Sequence, residues 1–306
     1  MIRPASAPRA GPPGRGGCTR APQACGFPDA TNTGVPAGTA LRAVPGQVAA
    51  GQGWRYDPAT QTVNVTGNWV RLTGLALTGS LNISGAHVTV SDDRIITAGD
   101  YGISLRHTSD VTITRTTVSG RNPGPGRVNY AIDDIYGDST GLVIRRDNIA
   151  NWRIGVNAAG GLITGNYIHH PGYLRGDHTD GIYDAGGTTT QIISDNTILN
   201  DVGQTCAIML ESVTGQRTGN KTIIGNLLAG GDYVIYAGGA QRDSSHIVIT
   251  NNRIGRAYFS AGGRYGPVAQ FQADGPGNTW SDNSWAGNGL ASDASDHPEA
   301  RQIPLP

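Results

Sequence analysis

The stretch that decides the fold is Gln191–Ile198, which reads QIISDNTI. Its apolar residues Ile193 and Ile198 stand on either side of Asn196, and the run is rich in β-branched residues. Such side chains favour strands, and positions two apart share one face of a strand. The stretch therefore predicts a strand, a sharp bend at the Asn, and a second strand.

Nearly the same phrase occurs eight times, with Asn, Asp or once Thr at the marked position. Successive markers are separated by 19 to 31 residues. One short strand unit repeated at this interval is typical of a solenoid. The copies are Val88–Ile95, Val111–Val118, Leu142–Ile149, Gly161–Ile168, Gln191–Ile198, Lys221–Leu228, Ile247–Ile254 and Asn278–Trp285.

The repeat predicts an all-β protein, a single parallel β-helix of about eight to ten rungs with a flexible N-terminal segment. The strong preference of parallel crossovers predicts a right-handed coil. The recurrent Asn is expected to form a ladder, in which each amide bonds the turn backbone and its neighbours above and below. We expect the coil to span residues 62–287, after a disordered or leader-like segment at 1–25 and an N-terminal cap at 26–61, with a tail at 288–306.

Composition excludes some functions. The 306 residues carry a formal net charge of zero, so no basic field exists to bind nucleic acid. No apolar run approaches the roughly 20 residues that span a bilayer. The Pro/Gly/Ala/Arg-rich first 17 residues contain no apolar signal segment. Cys18 and Cys25 are close enough in sequence to form a disulfide, and Cys206 is expected to be buried.

Each rung also carries a strand upstream of its marked phrase, in which a small residue precedes an inward aliphatic residue and a functional residue follows it. Alternation would send both neighbours outward and so line a shallow groove. Alternatively, the small residues relieve crowding beneath the loops. The triplets are Gly102-Ile103-Ser104, Ala131-Ile132-Asp133, Gly181-Ile182-Tyr183, Ala207-Ile208-Met209, Val234-Ile235-Tyr236 and, less regularly, Val268-Ala269-Gln270.

The densest set of chemically active residues is Tyr173–Asp184, which leads into one of these strands. His178 stands close to Asp177 and Asp180, and a carboxylate can hold a histidine in one tautomer for acid or base work. Each residue also has a structural reading: Asp180 as a turn former, His178 as a loop hydrogen-bonding group, and the tyrosines as stacked aromatics. Neighbouring rungs are expected to add Asn129, Asp133, Gln204, Asp232, Tyr233 and Tyr236 to the groove.

Two further possibilities are weaker. Asp133, Asp177 and Asp180 are candidate ligands for Ca²⁺, which prefers carboxylate oxygens. Lys221 is the only lysine and a candidate for neutralising substrate charge, although it opens a strand that is not the groove strand.

The chain resembles the parallel β-helix superfamily of pectate lyases and polygalacturonases. It is similar in particular to β-helix repeat proteins of the kind that actinobacteria secrete. The residues that carry the likeness are Cys25–Thr39, Gly176–Thr179, Ala229–Tyr233 with Tyr236, and Tyr265–Val268.

The resemblance implies a carbohydrate-active protein that is secreted and monomeric, and two reactions are open. His178-Thr179-Asp180-Gly181 is similar to the Asn-Thr-Asp-Gly motif of the hydrolases, but the following Asp-Asp pair and Gly-His-Gly are absent. A lyase of acidic polysaccharide is therefore favoured, in which Arg175, Asn129 or Gln204 neutralises a uronate carboxylate. His178 or Tyr183 would act as base and Tyr236 as acid. Polygalacturonase-like hydrolysis, and non-catalytic carbohydrate binding or adhesion, are the alternatives.

Overall fold

A computed structural model describes residues 17–212, 216–240, 243–286 and 303. In this part of the chain, three long sheets share one repeating order: a strand of sheet B, then one of sheet C, then one of sheet A. All strand pairs are parallel except two at the N-terminal end of sheet B. The predicted all-β solenoid, a parallel β-helix, is confirmed.

The strands are short and regular. Sheet A contains β1 (Arg42–Val44), β6 (Leu75–Thr78), β9 (Arg94–Thr97), β12 (Thr117–Gly120), β15 (Asn148–Ala150), β18 (Tyr167–His169), β21 (Thr197–Asn200), β24 (Leu227–Gly230), β27 (Arg253–Ile254) and β30 (Ser284–Trp285). Sheet B contains β2 (Ala50–Gly51), β3 (Trp54–Asp57), β4 (Thr62–Val65), β7 (Ser80–Ile83), β10 (Tyr101–Leu105), β13 (Val128–Asp134), β16 (Trp152–Asn157), β19 (Asp180–Asp184), β22 (Cys206–Leu210), β25 (Tyr233–Ala237) and β28 (Gly266–Ala269). Sheet C contains β5 (Arg71–Thr73), β8 (Thr89–Ser91), β11 (Thr112–Thr114), β14 (Val143–Arg145), β17 (Gly161–Thr164), β20 (Gln191–Ser194), β23 (Gly219–Ile224), β26 (Ser245–Thr250) and β29 (Thr279–Ser281). The helical pieces are α1 (Gly17–Arg20) and the 3₁₀ turns Pro22–Cys25 and Gly124–Gly126.

The interior of the coil is filled by columns of aliphatic side chains, one from each sheet. Ile132, Ile182 and Ile208 of sheet B are fully buried. Ile182 pairs with Ile208 on the next strand, and Val156 lies between Ile132 and Ile182 in the same column. Burying each such side chain stabilises the fold by roughly 1.5–3 kcal/mol. The apolar residues that the sequence pattern predicted to face the interior are therefore buried there.

The marked Asn residues form the predicted ladder at the corner between sheets C and A. Asn166, Asn196, Asn226 and Asn252 each donate from Nδ2 to Oδ1 of the next Asn at 2.9 Å. Each also bonds a strand carbonyl of the preceding rung, as Asn196 does with Ile163. The residue before each marker has a positive φ, for example Arg146 and Asp195. This left-handed residue makes the bend, and the buried amide satisfies the backbone groups that the bend exposes.

The first part of the N-terminal segment lies along the outside of sheet A. The backbone N–H of Gly34 donates to the carbonyl of Arg146 at 2.8 Å, and a Cβ on Gly255 would collide with Thr19. At the N-terminal end, Val44 is buried and Val48, Trp54 and Tyr56 pack against the core, and the cap that we predicted at 26–61 stays a prediction. The predicted disulfide between Cys18 and Cys25 is present, and Cys206 is buried.

The two ends of the chain are described only in part. The flexible segment that we predicted at residues 1–25 lies outside the described residues as far as residue 16, and so does most of the tail at 288–306. In the tail, Ile303 is buried against the end of the coil, where its carbonyl accepts a hydrogen bond from Nε1 of Trp280 at 2.9 Å.

Candidate functional site on the face of sheet B

Long loops collect at the corner between sheets A and B and form a wall beside sheet B. They cover residues 121–127, 170–179, 201–205 and 255–265. Arg127 and Asp177 join the first two loops through an ion pair of 2.8 Å, in which both side chains are mostly buried. This ion pair packs the two loops together at one edge of sheet B. We take the outer face of sheet B beside these loops as the candidate site and call it the cleft.

The column of small residues does not line this cleft as predicted. A methyl group on Gly102 would lie 2.6 Å from Cγ1 of Val118, and one on Gly181 would collide with Ile198, both interior residues of sheet A. Ala131 and Ala207 of the same column are fully buried. The alternative reading, crowding beneath the loops, does not describe the contact either: these residues are small because the interior side chains of sheet A occupy the space at the corner.

The sequence prediction also missed the sheet B strand of one rung. Strand β16 lies between β13 and β19, so Asn157 separates Asp133 from Tyr183. Nδ2 of Asn157 donates to Oδ1 of Asp133 at 2.6 Å. The triplet Gly155-Val156-Asn157 fits the small, aliphatic, polar pattern and would have revealed this rung. It was overlooked because a single residue connects β15 to β16.

One register was wrong by a residue. Val268, not Ala269, pairs with Ile235 and points inward, so Ala269 and not Gln270 stands beside Tyr236. The outward column of sheet B therefore runs Ser104, Asp133, Asn157, Tyr183, Met209, Tyr236 and Ala269.

Asp180 lies at the centre of the cleft. It is almost fully buried, and Sγ of Cys206 on the next rung donates to its Oδ1 at 3.1 Å. Burial raises the pKa of Asp180 to about 6, although the Cys206 thiol and the charges of His178 and Arg153 act to lower it. Asp180 is thus a carboxyl group that changes its protonation state close to neutral pH, which suits an acid or a base.

Two tyrosines flank this carboxyl group. Burial raises the pKa of Tyr183 to about 12, and the charges of Glu211 and Asp180 act in the same direction. Burial likewise raises the pKa of Tyr236 to about 12. Both therefore stay protonated at neutral pH, and the role of base predicted for Tyr183 stays a prediction. The predicted role of Tyr236 as a proton donor stays a prediction.

The cation of the cleft is Arg153, which the sequence prediction missed. Its guanidinium lies 4.8 Å from the ring centre of Tyr130, and its charge acts on both Asp133 and Asp180. Arg175, the predicted cation, is exposed on the loop of residues 170–179. The signal that could have found Arg153 is its place at the start of the overlooked rung.

The other predicted loop residues surround this centre. His178 is exposed, close enough for its charge to act on Asp180. Asp177 accepts a hydrogen bond from the backbone N–H of Leu174 at 2.7 Å besides pairing with Arg127, so it holds the loop together, and its catalytic role stays a prediction.

Three predicted substrate-binding residues have structural partners as well. Nδ2 of Asn129 donates to Oδ1 of Asp100 at 2.8 Å. The backbone carbonyl of Gln204 accepts a hydrogen bond from Nδ2 of Asn200 at 2.9 Å. Asp232 lies 3.6 Å from the guanidinium of Arg264. Tyr233 packs edge to face against Tyr236 on the same strand, β25, with the ring centres 5.5 Å apart, so the two rings form one aromatic surface on this rung.

Lys221 lies inside the coil, so the predicted contact with substrate is wrong. Its Nζ is 2.6 Å from Oδ2 of Asp184 and donates to the carbonyls of Ala159 at 2.8 Å and Thr189 at 2.9 Å. These three acceptors match the three protons of an ammonium group. Its positive charge forms an ion pair with Asp184 inside the coil.

The proposed calcium ligands do not converge. Asp133 bonds Asn157, Asp177 bonds Arg127 and Asp180 bonds Cys206. Among the described residues, no group of three or more His, Cys, Asp or Glu side chains is arranged to hold a metal ion. The residues present therefore do not form the Ca²⁺ site that we expected from the sequence.

Comparison with known proteins adds no closer assignment. No protein-family model matches the chain, and no curated protein is detectably similar to it. Within the described part of the chain, the helices are too short and too polar to cross a membrane.

Proposed function

We propose that the protein is a carbohydrate-active β-helix of the pectate lyase and polygalacturonase superfamily, and that it binds an acidic polysaccharide along the face of sheet B. The observation that carries this proposal is one cluster: the guanidinium of Arg153, the buried carboxyl group of Asp180 and the hydroxyl groups of Tyr183 and Tyr236 share one walled cleft. Aromatic rings offer flat faces to sugars, and a guanidinium binds a carboxylate by charge-assisted hydrogen bonds.

The reaction that fits this cluster best is β-elimination. Arg153 would neutralise the uronate carboxylate and so make the adjacent proton more acidic. The ionised carboxylate of Asp180, with His178 at the rim, would remove that proton. Tyr183 or Tyr236 would donate a proton to the glycosidic oxygen that leaves. The bond between carbon and that oxygen breaks as the carbon–carbon double bond forms, so the step needs no further reactant.

A hydrolase is the second candidate, because the carboxyl groups of Asp180 and Glu211 are close enough to influence each other. Inverting hydrolysis uses two carboxyl groups on opposite sides of the sugar. The two reactions predict opposite pH dependences. A base at Asp180 makes the rate rise as the pH increases through about 6, whereas an acid at Asp180 makes it fall over the same range.

Secretion belongs to the same proposal. The disulfide between Cys18 and Cys25 supports it, because such bonds persist in oxidising compartments. A capped coil needs no partner subunit, so we propose a monomer.

The test is a screen of the purified full chain against pectate, alginate, glucuronan, hyaluronan and neutral glycans, with calcium and with chelator. Unsaturated-uronide absorbance and reducing ends are measured together from pH 4 to 9. We expect both signals to rise on one acidic polymer, and Arg153→Gln to abolish them. Arg94→Gln is the matched control, since it removes an exposed arginine from sheet A, away from the cleft. Reducing ends without absorbance would establish the hydrolase instead, and binding without either signal would establish a binding protein.

A further inference from the structure

We propose a second carbohydrate-binding surface, separate from the cleft, at the corner between sheets B and C in the first four rungs. This surface, the aromatic strip, consists of the ring pairs Trp69–His87 and His107–Tyr136. It rests on the proposed function in that its ligand is the same polysaccharide. It is a binding surface only and takes no part in cleavage.

The first ring pair is unusually exposed. Trp69 has 77% of its surface accessible, the largest value for a big apolar side chain in the part of the chain that the structure describes. Its ring lies parallel to the imidazole of His87, with the ring centres 3.9 Å apart. Nδ1 of His87 is in turn 3.1 Å from a carboxylate oxygen of Asp110 on the following rung. The tryptophan is thus held as a flat, fixed platform with its other face in solvent.

The second pair repeats this construction. The imidazole of His107 and the ring of Tyr136 are parallel, with centres 4.0 Å apart, and Nδ1 of His107 lies 2.6 Å from a carboxylate oxygen of Asp138. Tyr136 is 53% exposed. An imidazole fixed by a carboxylate supports an exposed aromatic ring in both cases. Such support reduces the side-chain entropy that binding would otherwise remove.

The backbone at Trp69 has a φ of 60°, in the left-handed region that bulky residues rarely adopt. The equivalent bend on the next three rungs is made by His87, Asp110 and Gly141, which also have positive φ. The bend is thus a regular feature of this corner, and what is particular to Trp69 is the exposed ring that it places there.

The chemistry of the strip selects a sugar as the occupant. The flat faces carry negative charge density and attract the C–H groups of a pyranose ring. Polar groups border them. The carboxylates of Asp110 and Asp138 are held by His87 and His107 and can accept hydrogen bonds from sugar hydroxyl groups only. The guanidinium of Arg106, which donates to Asn82 at 2.8 Å and reaches the hydroxyl of Tyr136 at 3.5 Å, is the group that attracts a uronate carboxylate. Flat apolar surface with hydrogen-bonding groups at its edge matches a carbohydrate better than an apolar protein surface.

The strip lies at the opposite edge of sheet B from the loops of the cleft. Rungs repeat about every 4.8 Å, so Tyr136 and Trp69 lie roughly 10 and 24 Å from Asp180 along the coil axis, in addition to their distance across the sheet. Arg106 lies between the two regions, because its charge acts on Asp133 in the cleft. One polysaccharide chain that crosses sheet B obliquely can therefore contact both, and the strip would increase affinity for long chains through effective concentration.

The experiment compares wild type with the double variant Trp69→Asn/Tyr136→Ala. Asparagine tolerates the left-handed backbone, so the fold is retained. Retardation in gels that contain pectate, alginate or xylan gives the affinity for polymer. We expect the double variant to bind the retarding polymer at least tenfold more weakly, in the range expected when aromatic anchors are removed. Cleavage or binding of a trimer of the same sugar should be unchanged.

Ile192→Ala is the matched control, because it removes an exposed apolar side chain from the face of sheet C. Unchanged polymer affinity in the double variant, while Arg153→Gln still abolishes function in the cleft, would overturn the strip alone. The absence of retardation of the wild type by every polymer would overturn both proposals. Self-association of the wild type that the double variant loses, measured by sedimentation, would assign the strip to protein contact instead and overturn this inference.

Discussion

The polar groups in the interior of the coil and those on the outer face of sheet B differ in how fully they are hydrogen-bonded. Inside, Asn196 uses both its amide hydrogens and its oxygen, and Lys221 has one acceptor for each proton. On the outer face, Asp180 is buried with a raised pKa and only a weak thiol donor. The interior arrangement stabilises the fold, whereas the outer one lowers stability and leaves a reactive group. A raised pKa does not make this distinction by itself, because burial also raises the pKa of the ladder residue Asp147; what sets Asp180 apart is its place on the outer face.

The largest expected effect on stability comes from breaking the interior pair. Lys221→Met leaves the carboxylate of Asp184 buried without its cation, and breaking such a pair typically costs about 3–5 kcal/mol. Urea unfolding of the full chain should show this loss. Lys221→Met/Asp184→Asn should recover part of it, because the Asn carbonyl can still accept the N–H of Gly186. Arg175→Met, an exposed control, should change little; an equal loss there would contradict the assignment of Lys221 to the interior.

In the cleft, by contrast, we expect a substitution to stabilise the protein. Asp180→Asn should abolish cleavage and at the same time raise the free energy of unfolding, by on the order of 1–3 kcal/mol at pH 8. The folded-state pKa of Asp180 is raised to about 6. Wild type therefore loses stability as the pH rises from about 4 towards 6, and the variant does not.

Urea unfolding at pH 4 and pH 8 checks the Asp180 prediction. The difference between variant and wild type should be small at pH 4 and reach its full size above pH 6. A variant that is destabilised at pH 8 would mean that Asp180 is a structural residue.

The smallest effect tests one of the defects of the interior. Asp147 occupies a ladder position, where its Oδ1 accepts the N–H of Thr116 at 2.7 Å while its buried Oδ2 has no hydrogen-bond partner. Burial raises the pKa of Asp147 well above its usual range. Asp147→Asn would add the missing donor and should stabilise the protein by about 1–2 kcal/mol.

The stabilisation by Asp147→Asn should increase from about pH 4 upward. Above that pH the unfolded wild type loses the Asp147 proton while burial keeps it bound in the folded protein, so the wild type becomes less stable and the variant does not. Thermal unfolding at several pH values measures it. Asp195→Asn, an exposed position on the same corner, is the control and should show no comparable gain. Equal stabilisation by both variants would show that surface charge, not the ladder, is responsible.

The sequence by itself determined the coil. Apolar residues two apart and a recurrent Asn have one compatible structure, because strand alternation and the bend at the marker depend only on neighbouring residues. The same local reasoning predicted the buried Cys206 and the ladder from Asn166 to Asn283.

Only the tertiary structure decided which side chains share the cleft. Lys221 and Arg153 look equally available in the sequence, but one points into the coil and the other across sheet B. Asp133 and Tyr183 are two rungs apart because a rung with a one-residue connection lies between them. The small residues at Gly102 and Gly181 face interior side chains of another sheet. Contacts between rungs depend on the number and length of the intervening turns, and a pattern within one strand carries no information about them.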